Sequence, residues 1–351
     1  MNIFVFSNKF SPAHFSHLVA YDHIIRKTGN NCVLILHPDY KSFIDDSYSY
    51  LNIVYLNEWD DFNLKCDIAI IYNISKVDLK YINCLSKNNS NFEFYTIVHE
   101  PWSGWRRTFI EFLKHDESFK ETIKRIGRMH YLKRLIRKKS NIIFCSKNAQ
   151  SIFKYKRKKI NSYVMPLVFK DELNTILSND DKKYFSFIGN ASVSHGFNDF
   201  VLFIKKYRNT DLKFQIATST NIEQFLDSDL KKMIEIGQLI VIHGKYLTNE
   251  EINECYARAS VLWLYYKRTT QSGCLCKAFM FGTPVICSNK GSFSEYINEN
   301  NGRIVNNFEL IYDAYCELIN QKNNIDNCRS SFIDFFDCEN KVNYLENIIF
   351  K

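Results

Sequence analysis

The chain has 351 residues, about twice the length of a common domain, which leaves room for two domains of similar size. Apolar residues make up 46% and charged residues 24%, a composition that builds hydrophobic cores and excludes general disorder. The formal net charge of +8 is unevenly spread, because residues 101–160 hold 18 Lys and Arg against 4 Asp and Glu. The rest of the chain is therefore net negative. One basic segment favours a single anionic partner surface over a nucleic acid bound along the whole protein.

Targeting signals and metal motifs are not apparent in the sequence. The apolar runs are strand-sized, well below the ~18 residues that a membrane-spanning helix needs. The first residues read as a strand and show no secretory pattern, so we expect a cytoplasmic protein. The eleven cysteines include no Cys-x-x-Cys pair and no zinc-site spacing. We therefore expect reduced thiols and no bound metal.

Short apolar runs alternate with amphipathic stretches from end to end. The apolar runs predict strands at 2–7, 32–37, 52–55, 67–72, 93–98, 141–145, 163–166, 184–188, 213–217, 239–243, 260–264 and 284–287. The amphipathic stretches predict helices that include 15–28, 196–208, 222–236 and 249–258. Alternation of this kind is typical of parallel sheets covered by helices on both faces.

The segment 167–182 separates two series of strands, and its polar end precedes a fresh strand. We predict an α/β fold of two Rossmann-like, doubly wound domains that face a cleft. The first spans 1–168 and the second 169–338, with a last helix in 339–351 that packs back onto the first domain. Ligands of such sheets bind beyond the carboxyl ends of the strands, so the loops that follow strands carry the candidate sites.

The stretch 265–286 runs from a strand end through a turn of small residues into a helix. Ser272 and Gly273 at the helix start would present backbone N–H groups to an anion, and the helix dipole adds about half a positive charge there. Lys267 and Arg268 add full charges just upstream, which suits a diphosphate. A structural interpretation stays equally open, with Ser272 as an N-cap and Gly273 as a tight turn.

The order of motifs in the second half resembles a known family. Residues 187–196 read Phe-Ile-Gly-Asn-Ala-Ser-Val-Ser-His-Gly, 242–262 contain Ile-His-Gly-Lys-Tyr and a later Ser-Val-Leu, and 265–286 end in Gly-Thr-Pro-Val-Ile. Residues 290–295 then read Lys-Gly-Ser-Phe-Ser-Glu. This order is similar to the nucleotide-sugar-binding half of GT-B glycosyltransferases, above all the retaining, family 4-like group 1 enzymes. The resemblance covers roughly 130–305 well and the N-terminal third of the chain in outline.

The resemblance implies a hexosyltransferase-type enzyme of class EC 2.4. It would move a sugar from a nucleoside-diphosphate-sugar, with retained configuration, to a carbohydrate acceptor that we expect to be lipid-linked, in bacterial surface polysaccharide synthesis. The nucleotide-sugar is a substrate, so no cofactor and no metal are implied. The donor-binding positions that the resemblance implies are Gly189, Asn190, His195, Lys267, Arg268, Gln271, Ser272, Gly273, Cys274 and Glu295.

The sequence departs from the family at its paired carboxylates. Members commonly carry Glu-x7-Glu around this loop, and the corresponding positions here hold Thr269 and Lys277. The chain is similar to variants without the pair, and we expect His195, Lys267 and Arg268 to share the phosphate contacts. The loss leaves two alternatives open. One is a catalytically silent, membrane-associated partner of a glycosyltransferase, and the other is a nucleotide-sugar epimerase on the same fold.

Two Ser/Thr-x-x-Glu patterns predict helix starts. Thr248 with Glu251 predicts a capping box. Ser292 with Glu295 predicts a second one, and we favour that capping role for Glu295 over the contact near the nucleotide that the resemblance implies.

In the first half, Thr96-Ile97-Val98-His99-Glu100 places a polar pair at a strand end. The resemblance implies that His99 faces the acceptor and the donor sugar, with Glu100 as the second candidate catalytic residue. A buried His99 bonded to a backbone carbonyl stays open. The loop that in the family carries Pro-x-x-Gly-Gly lacks its glycines here, and His14, Ser16 and His17 are interpreted as helix-start residues.

The basic segment 101–160 interleaves charge with apolar residues, as in Lys133-Arg134-Leu135-Ile136-Arg137-Lys138-Lys139. Aromatic residues precede this run, and a basic amphipathic helix with aromatics suits an anionic bilayer. We therefore expect a peripheral location at the inner face of the membrane, with a solvated helix face as the alternative. We do not expect nucleic-acid binding, because no recognition motif accompanies the charge.

Overall fold

The computed structural model describes residues 1–56, 65–73, 76–88, 92–99, 141–154, 161–174, 177–269 and 271–349, together with the single positions 123 and 134. The chain divides into two compact units. Unit 1 consists of residues 1–170 and 336–351, and unit 2 consists of residues 171–335. The first division falls inside the segment 167–182.

Unit 1 is built on a seven-stranded sheet in the order β3-β2-β1-β4-β5-β6-β7, and every strand pair is parallel. Its central strands are apolar on both faces, which is typical of a sheet covered on both sides. The strands are β1 (Asn2–Ser7), β2 (Asn31–Leu36), β3 (Ile53–Tyr55), β4 (Ile68–Asn73), β5 (Glu93–Val98), β6 (Asn141–Phe144) and β7 (Ser162–Val164). The helices described between them are α1 (Phe15–Lys27), α2 (Lys76–Asn88) and α3 (Lys147–Lys154).

Unit 2 repeats this plan with six parallel strands in the order β10-β9-β8-β11-β12-β13. The strands are β8 (Tyr184–Ile188), β9 (Lys213–Ala217), β10 (Leu239–Ile242), β11 (Ala259–Leu264), β12 (Val285–Ser288) and β13 (Gly302–Val305). The helices are α4 (Phe197–Lys206), α5 (Ser228–Glu235), α6 (Asn249–Arg258), α7 (Gly273–Met280), α8 (Phe293–Tyr296), α9 (Ile311–Asn320) and α10 (Asn324–Phe335). The two parallel α/β sheets confirm the predicted fold class.

Aromatic side chains fill the core of unit 2. The Trp263 ring on β11 lies 5.1 Å from that of Phe200 on α4 and 5.8 Å from that of Phe185 on β8, between centroids. All three residues are at most 1% exposed. Burying each aromatic side chain contributes about 2–3 kcal/mol, so this cluster fixes α4 against the two central strands.

The final helix α11 (Val342–Ile349) belongs to unit 1. It packs against α1, and its Ile348 carbonyl accepts a hydrogen bond of 3.2 Å from the Tyr95 hydroxyl on β5. The segments where the chain leaves and re-enters unit 1 also pair, since Phe169 and Asp337 form a parallel bridge. This bridge anchors the start of the C-terminal segment to unit 1.

Each sheet reverses its strand order beside its central strand, between β1 and β4 in unit 1 and between β8 and β11 in unit 2. At such a switch point the connections leave in opposite directions and open a crevice at the carboxyl edge. The loops after these four strands therefore line the places where ligands are expected.

Two sequence expectations need correction. The helix predicted at 222–236 starts only at Ser228. A short 3-10 turn covers Glu223–Phe225 instead. Asp227 then caps the helix, because its carboxylate accepts a hydrogen bond from the Leu230 N–H. Strand β13 was not predicted, since Arg303 interrupts its short apolar run. Within the part of the chain that the structure describes, no helix is both long and apolar enough to cross a membrane.

Candidate functional site

The predicted donor residues of unit 2 lie in loops at one edge of its sheet. Gly189, Asn190 and His195 follow β8, while Lys267 and Arg268 follow β11, and these two strands flank the switch point. The fold therefore brings together, at the carboxyl edge, residues that are more than 70 positions apart in the sequence.

Glycine is required twice in the loop after β8. Gly189 has a φ of +129°, and a Cβ there would lie 3.3 Å from the Cys274 sulfur. Gly196 has a φ of +69°, and a Cβ there would lie only 2.3 Å from the Tyr265 carbonyl oxygen. Both positions adopt a backbone that other residues rarely accept and allow a close approach to the neighbouring loop.

The loops after β8 and β11 are bonded to each other. The Ser194 carbonyl accepts hydrogen bonds from the backbone N–H groups of Lys267 and Arg268, at 3.0 and 3.2 Å. The His195 ring packs on the buried Tyr266 ring with 4.6 Å between centroids, and its Nδ1 donates to the Asn190 carbonyl at 2.9 Å. Tyr266 thus serves as a platform that the sequence interpretation missed, although two tyrosines at a strand end were a signal for it.

The third component is the start of α7. Ser272 is the N-cap residue by position, yet its side chain does not cap the helix and bonds the Tyr266 hydroxyl instead. The Cys274 thiol donates to the Ile188 carbonyl at 3.3 Å, which ties the first turn of α7 to the end of β8. Ser272 thus occupies the N-cap position without a side-chain cap, and the positive end of the helix dipole lies beside the loop that begins with Gly189.

The cations of this region differ in their environment. Lys267 is about half exposed, and its ammonium lies 3.6 Å from the Asp199 carboxylate. Lys277 occupies the position where the family commonly has the second Glu of its Glu-x7-Glu pair. Its ammonium is buried in an ion pair with Glu172 and lies 3.2 Å from the Asn253 amide oxygen. Burial lowers the pKa of Lys277, and Glu172 opposes that change. Lys267 is thus the more accessible of the two lysines for an incoming anion.

The other predicted donor positions are less informative. Gln271 is partly buried, and its carbonyl accepts a hydrogen bond of 2.9 Å from the Thr269 hydroxyl. Glu295 lies in the four-residue helix α8, partly exposed. The predicted cap at this helix is wrong, because the Ser292 side chain caps no N–H group. By contrast, the predicted capping box of Thr248 and Glu251 is confirmed, since both of its hydrogen bonds are present.

In unit 1, His99 follows β5 at the carboxyl edge of the sheet. Its ring stacks on His14 at 5.5 Å and meets the edge of Tyr72 at 4.5 Å, while its Nδ1 lies 3.6 Å from the Cys145 sulfur. Burial lowers the pKa of His99 well below its ordinary value, and His14 and His17 lower it further, so the ring is neutral at pH 7.

Several sequence predictions cannot be placed. Glu100 lies outside the described residues, as does the basic segment 101–160 apart from 123, 134 and 141–154. Among the residues that the structure describes, no group of three or more His, Cys, Asp or Glu is arranged to hold a metal ion.

A cavity of about 390 Å³ lies at the opposite, amino-terminal edge of the unit 2 sheet. None of the predicted donor residues lines it. Its walls are formed by Leu177, Asp181, Lys183, Tyr184, Glu254, Ala257 and Arg258. Acidic and basic side chains are mixed there, and we assign the cavity no role in the reaction.

Comparison with known proteins supports the interpretation of the fold. Residues 182–321 match the family model described as "Glycosyl transferases group 1". A search of curated protein sequences finds no match. Similar solved structures include sucrose-phosphate synthase from Thermosynechococcus elongatus, with a TM-score of 0.70 at 12% identity over 99% of this chain and 98% of that one.

Two further structures are similar over nearly the whole chain. HepE from Anabaena, solved in complex with UDP, gives a TM-score of 0.70 at 9% identity over 99% of both chains. TarM gives 0.71 at 10% identity over 99% of this chain and 98% of that one. At such identities the likeness shows a common fold. The likeness thus shows the two-domain GT-B fold for this chain, and residues 182–321 match the group 1 glycosyltransferase model.

Proposed function

We propose that the protein is a group 1 glycosyltransferase of class EC 2.4, which transfers a sugar from a nucleoside-diphosphate-sugar, bound by unit 2, to a carbohydrate acceptor bound by unit 1. The observation that carries the proposal is the meeting of three anion-binding elements at the switch point of unit 2. These are the glycine loop after β8, the basic loop after β11 and the start of α7, joined through Ser194, His195 and Cys274.

The arrangement suits a leaving diphosphate. Negative charge grows on the phosphate oxygens as the bond to the sugar breaks, and fixed donors lower the energy of that state. The α7 dipole supplies about half a positive charge. Lys267 and Arg268 add full charges. His195, held in place by Tyr266, adds a donor through Nε2 when its ring is doubly protonated. Ser272, Gly273 and Cys274 would contribute backbone N–H groups.

Retention of configuration is the expected outcome, by analogy with the family that the sequence resembles. Glu295 is the one carboxylate among the predicted donor positions, and we do not propose it as a nucleophile. Attack of the acceptor on the face that the diphosphate leaves is therefore the proposed route. We assign His99 to orient the sugar and the acceptor as a neutral hydrogen-bonding group, and Glu100 to act as its partner. A neutral imidazole both donates and accepts, which suits a hydroxyl nucleophile.

UDP-glucose is the first donor to test, because HepE has been solved with UDP, with UDP and glucose, and with UDP-glucose. We expect the midpoint temperature of thermal unfolding to rise when the purified protein is mixed with at least one member of a panel of UDP-, GDP- and dTDP-sugars. The protein should then transfer or slowly hydrolyse that sugar. Gly196→Val, which would clash with Tyr265, serves as the negative control. If no nucleotide-sugar binds, the chain is a catalytically silent partner and the proposal fails.

The proposal has two further parts. The acceptor is a lipid-linked sugar of bacterial surface polysaccharide synthesis, and the protein lies peripherally at the inner face of the membrane. Their support is the excess of 14 positive charges in 101–160, where each basic residue near an anionic surface contributes up to about 1 kcal/mol. Replacing Lys133, Arg134, Arg137, Lys138 and Lys139 by Gln should reduce binding to vesicles that contain phosphatidylglycerol. Equal binding would show that this run is only a solvated face.

A further inference from the structure

The C-terminal end of α7 is held by the ammonium group of Lys182, a residue that precedes β8 in the chain. The ammonium donates hydrogen bonds to the Phe281 carbonyl at 2.8 Å and to the Thr283 hydroxyl at 2.9 Å. It donates a third bond of 3.2 Å to the carbonyl of Ala259. Phe281 directly follows α7, Thr283 lies just before β12 and Ala259 begins β11. One ammonium therefore joins the end of this helix to the strands before and after it.

The last carbonyl groups of a helix have no partners inside the helix and need other donors. In α7 the Met280 carbonyl accepts a hydrogen bond of 2.6 Å from Arg329, whose guanidinium also pairs with the Asp171 carboxylate. The next carbonyl along the chain, that of Phe281, is the one that accepts from Lys182. Two cations thus meet the negative end of the α7 dipole, where positive charge is favourable.

Fold stability does not explain why this position holds a lysine. The three acceptors around the Lys182 ammonium are neutral oxygens. Burial lowers the pKa of Lys182 from its ordinary 10.5 to about 8, although the Cys328 thiol and the Asp181 carboxylate oppose this change. Enclosing the charged form therefore costs more free energy than its hydrogen bonds return. A methionine of similar length would fill the same space without that cost.

The other end of α7 belongs to the candidate donor site. Its eight residues make the helix about 12 Å long, so we treat it as one rigid unit. The Cys274 thiol ties its first turn to the Ile188 carbonyl at 3.3 Å, while Lys182 and Arg329 tie its last turn. The direction of the backbone N–H groups at the start of α7 is therefore set by contacts at both ends.

Of the two cations at the end of α7, Lys182 is the one that can lose its proton near neutral pH. An ammonium has three N–H groups, and the three oxygens around Lys182 use all of them. A neutral amine has two, so deprotonation breaks at least one bond and removes the charge from the helix end. The ionisable groups that face the ammonium are the Asp181 carboxylate, on the preceding turn, and the Cys328 thiol, on α10. Burial raises the pKa of Cys328, which keeps that thiol neutral.

We propose that Lys182 is a positioning residue for the nucleotide, because its ammonium binds the end of α7 and so directs the N–H groups at the start of the helix towards the diphosphate. Lys182 itself does not touch the ligand. The inference rests on the proposed function for the identity of that ligand, a nucleoside diphosphate, and on the contacts of Lys182 for the way in which it acts.

The test uses the full chain and the variant Lys182→Met, which keeps the length of the side chain and removes its charge. Lys183→Met, at the neighbouring exposed position, is the matched control. Calorimetry at pH 7, 8 and 9 measures the affinity of wild type and both variants for UDP, GDP and dTDP. The comparison uses the nucleotide that wild type binds most tightly. Thermal unfolding of the same samples measures their stability.

At pH 7 we expect Lys182→Met to bind the nucleotide about fivefold more weakly than wild type, the effect of losing one charge at a helix end. Its midpoint temperature of unfolding should equal or exceed that of wild type, because no charge has to be enclosed. Lys183→Met should match wild type in both measurements. The ratio of the wild-type affinity to the Lys182→Met affinity should fall towards one by pH 9, as Lys182 loses its proton. Ionisation of the nucleotide cancels in this ratio.

Three results would overturn the proposal. A lower midpoint temperature of Lys182→Met with unchanged nucleotide affinity would show a purely structural role. A ratio that stays constant from pH 7 to pH 9 would show that the protonated ammonium does not act on the site. If wild type binds none of the three nucleotides, the proposed function fails and the positioning role fails with it. The first two results leave the proposed function intact, so the two hypotheses can be told apart.

Amide hydrogen exchange of the wild type provides a second measurement, which stays available if Lys182→Met does not fold. It compares the protection of the last turn of α7 with that of α4 at pH 7 and pH 9, after correction for the intrinsic exchange rates. We expect the protection of α7 to fall relative to α4 as Lys182 is deprotonated. Equal relative protection at both pH values would contradict the role of Lys182 in holding the helix.

Discussion

The His195 ring lies against the Tyr266 ring with 4.6 Å between their centroids, and this contact joins the loops after β8 and β11 of unit 2. His195 is also held by its hydrogen bond to the Asn190 carbonyl, so its Nδ1 carries the proton that it donates. The opposite nitrogen, Nε2, donates to a phosphate oxygen only when the ring is doubly protonated, as an imidazolium.

The stacking contact can be separated from hydrogen bonding by two substitutions. His195→Phe keeps an aromatic ring on Tyr266 but removes both nitrogens, so UDP affinity should fall about fivefold while the thermal transition changes little. His195→Ala should lower both. Calorimetric titration with UDP checks this, with His37→Ala in unit 1 as the control. UDP affinity equal to wild type in His195→Phe would remove His195 from the phosphate site.

Lys267 is expected to supply charge to the diphosphate. Lys267→Ala should weaken UDP binding about tenfold, or about 1.4 kcal/mol, because a charge-assisted hydrogen bond is lost. Asp199, 3.6 Å from the Lys267 ammonium, competes with the phosphate, so Asp199→Asn should strengthen binding. Lys245→Ala, an exposed lysine paired with Glu251, is the matched control. The assignment is wrong if Lys267→Ala and Lys245→Ala bind UDP equally well.

The Lys277–Glu172 ion pair explains why a glutamate at position 277 would not restore the family pattern. Lys277→Glu should place two carboxylates together in a buried site and lower the free energy of unfolding by about 3 kcal/mol or more. The double variant Lys277→Glu with Glu172→Lys should recover most of that loss. Urea unfolding of the single and double variants measures the coupling, and additive losses would contradict a direct pair.

The sequence predicted the features that depend on local pattern. Twelve of the described strands lie where short apolar runs in the sequence predicted them. A strand buried on both faces is apolar along its whole length, and this makes it easy to recognise. Strand β13 was missed because Arg303 interrupts its apolar run. The partnership of Lys277 with Glu172 links residues 105 positions apart, and no local pattern shows it. The unsatisfied amide of Asn8 is likewise a property of packing, which only the folded chain reveals.

The histidine stack of unit 1 should make stability depend on pH. The pKa of His14 is about 4 in the folded protein, below its ordinary 6.5, so the unfolded chain binds more protons between these values. Stability therefore falls as the pH drops from 6.5 towards 4, by up to about 3 kcal/mol for this residue. His14→Phe should reduce the difference in unfolding free energy between pH 7 and pH 4.5. An unchanged difference would mean that His14 remains protonatable in the fold.

The two Ser/Thr-x-x-Glu sites should respond oppositely to removal of their hydroxyl groups. At α6 the Thr248 hydroxyl accepts a hydrogen bond of 3.1 Å from the Glu251 N–H, so Thr248→Ala should destabilise the protein by about 1 kcal/mol. At α8 the Ser292 hydroxyl is buried without a hydrogen-bond partner among the described residues. Ser292→Ala should therefore be neutral or slightly stabilising, since it removes an unsatisfied polar atom. Thermal unfolding of both variants checks the contrast, and an equal loss at both sites would show that Ser292 caps its helix in solution.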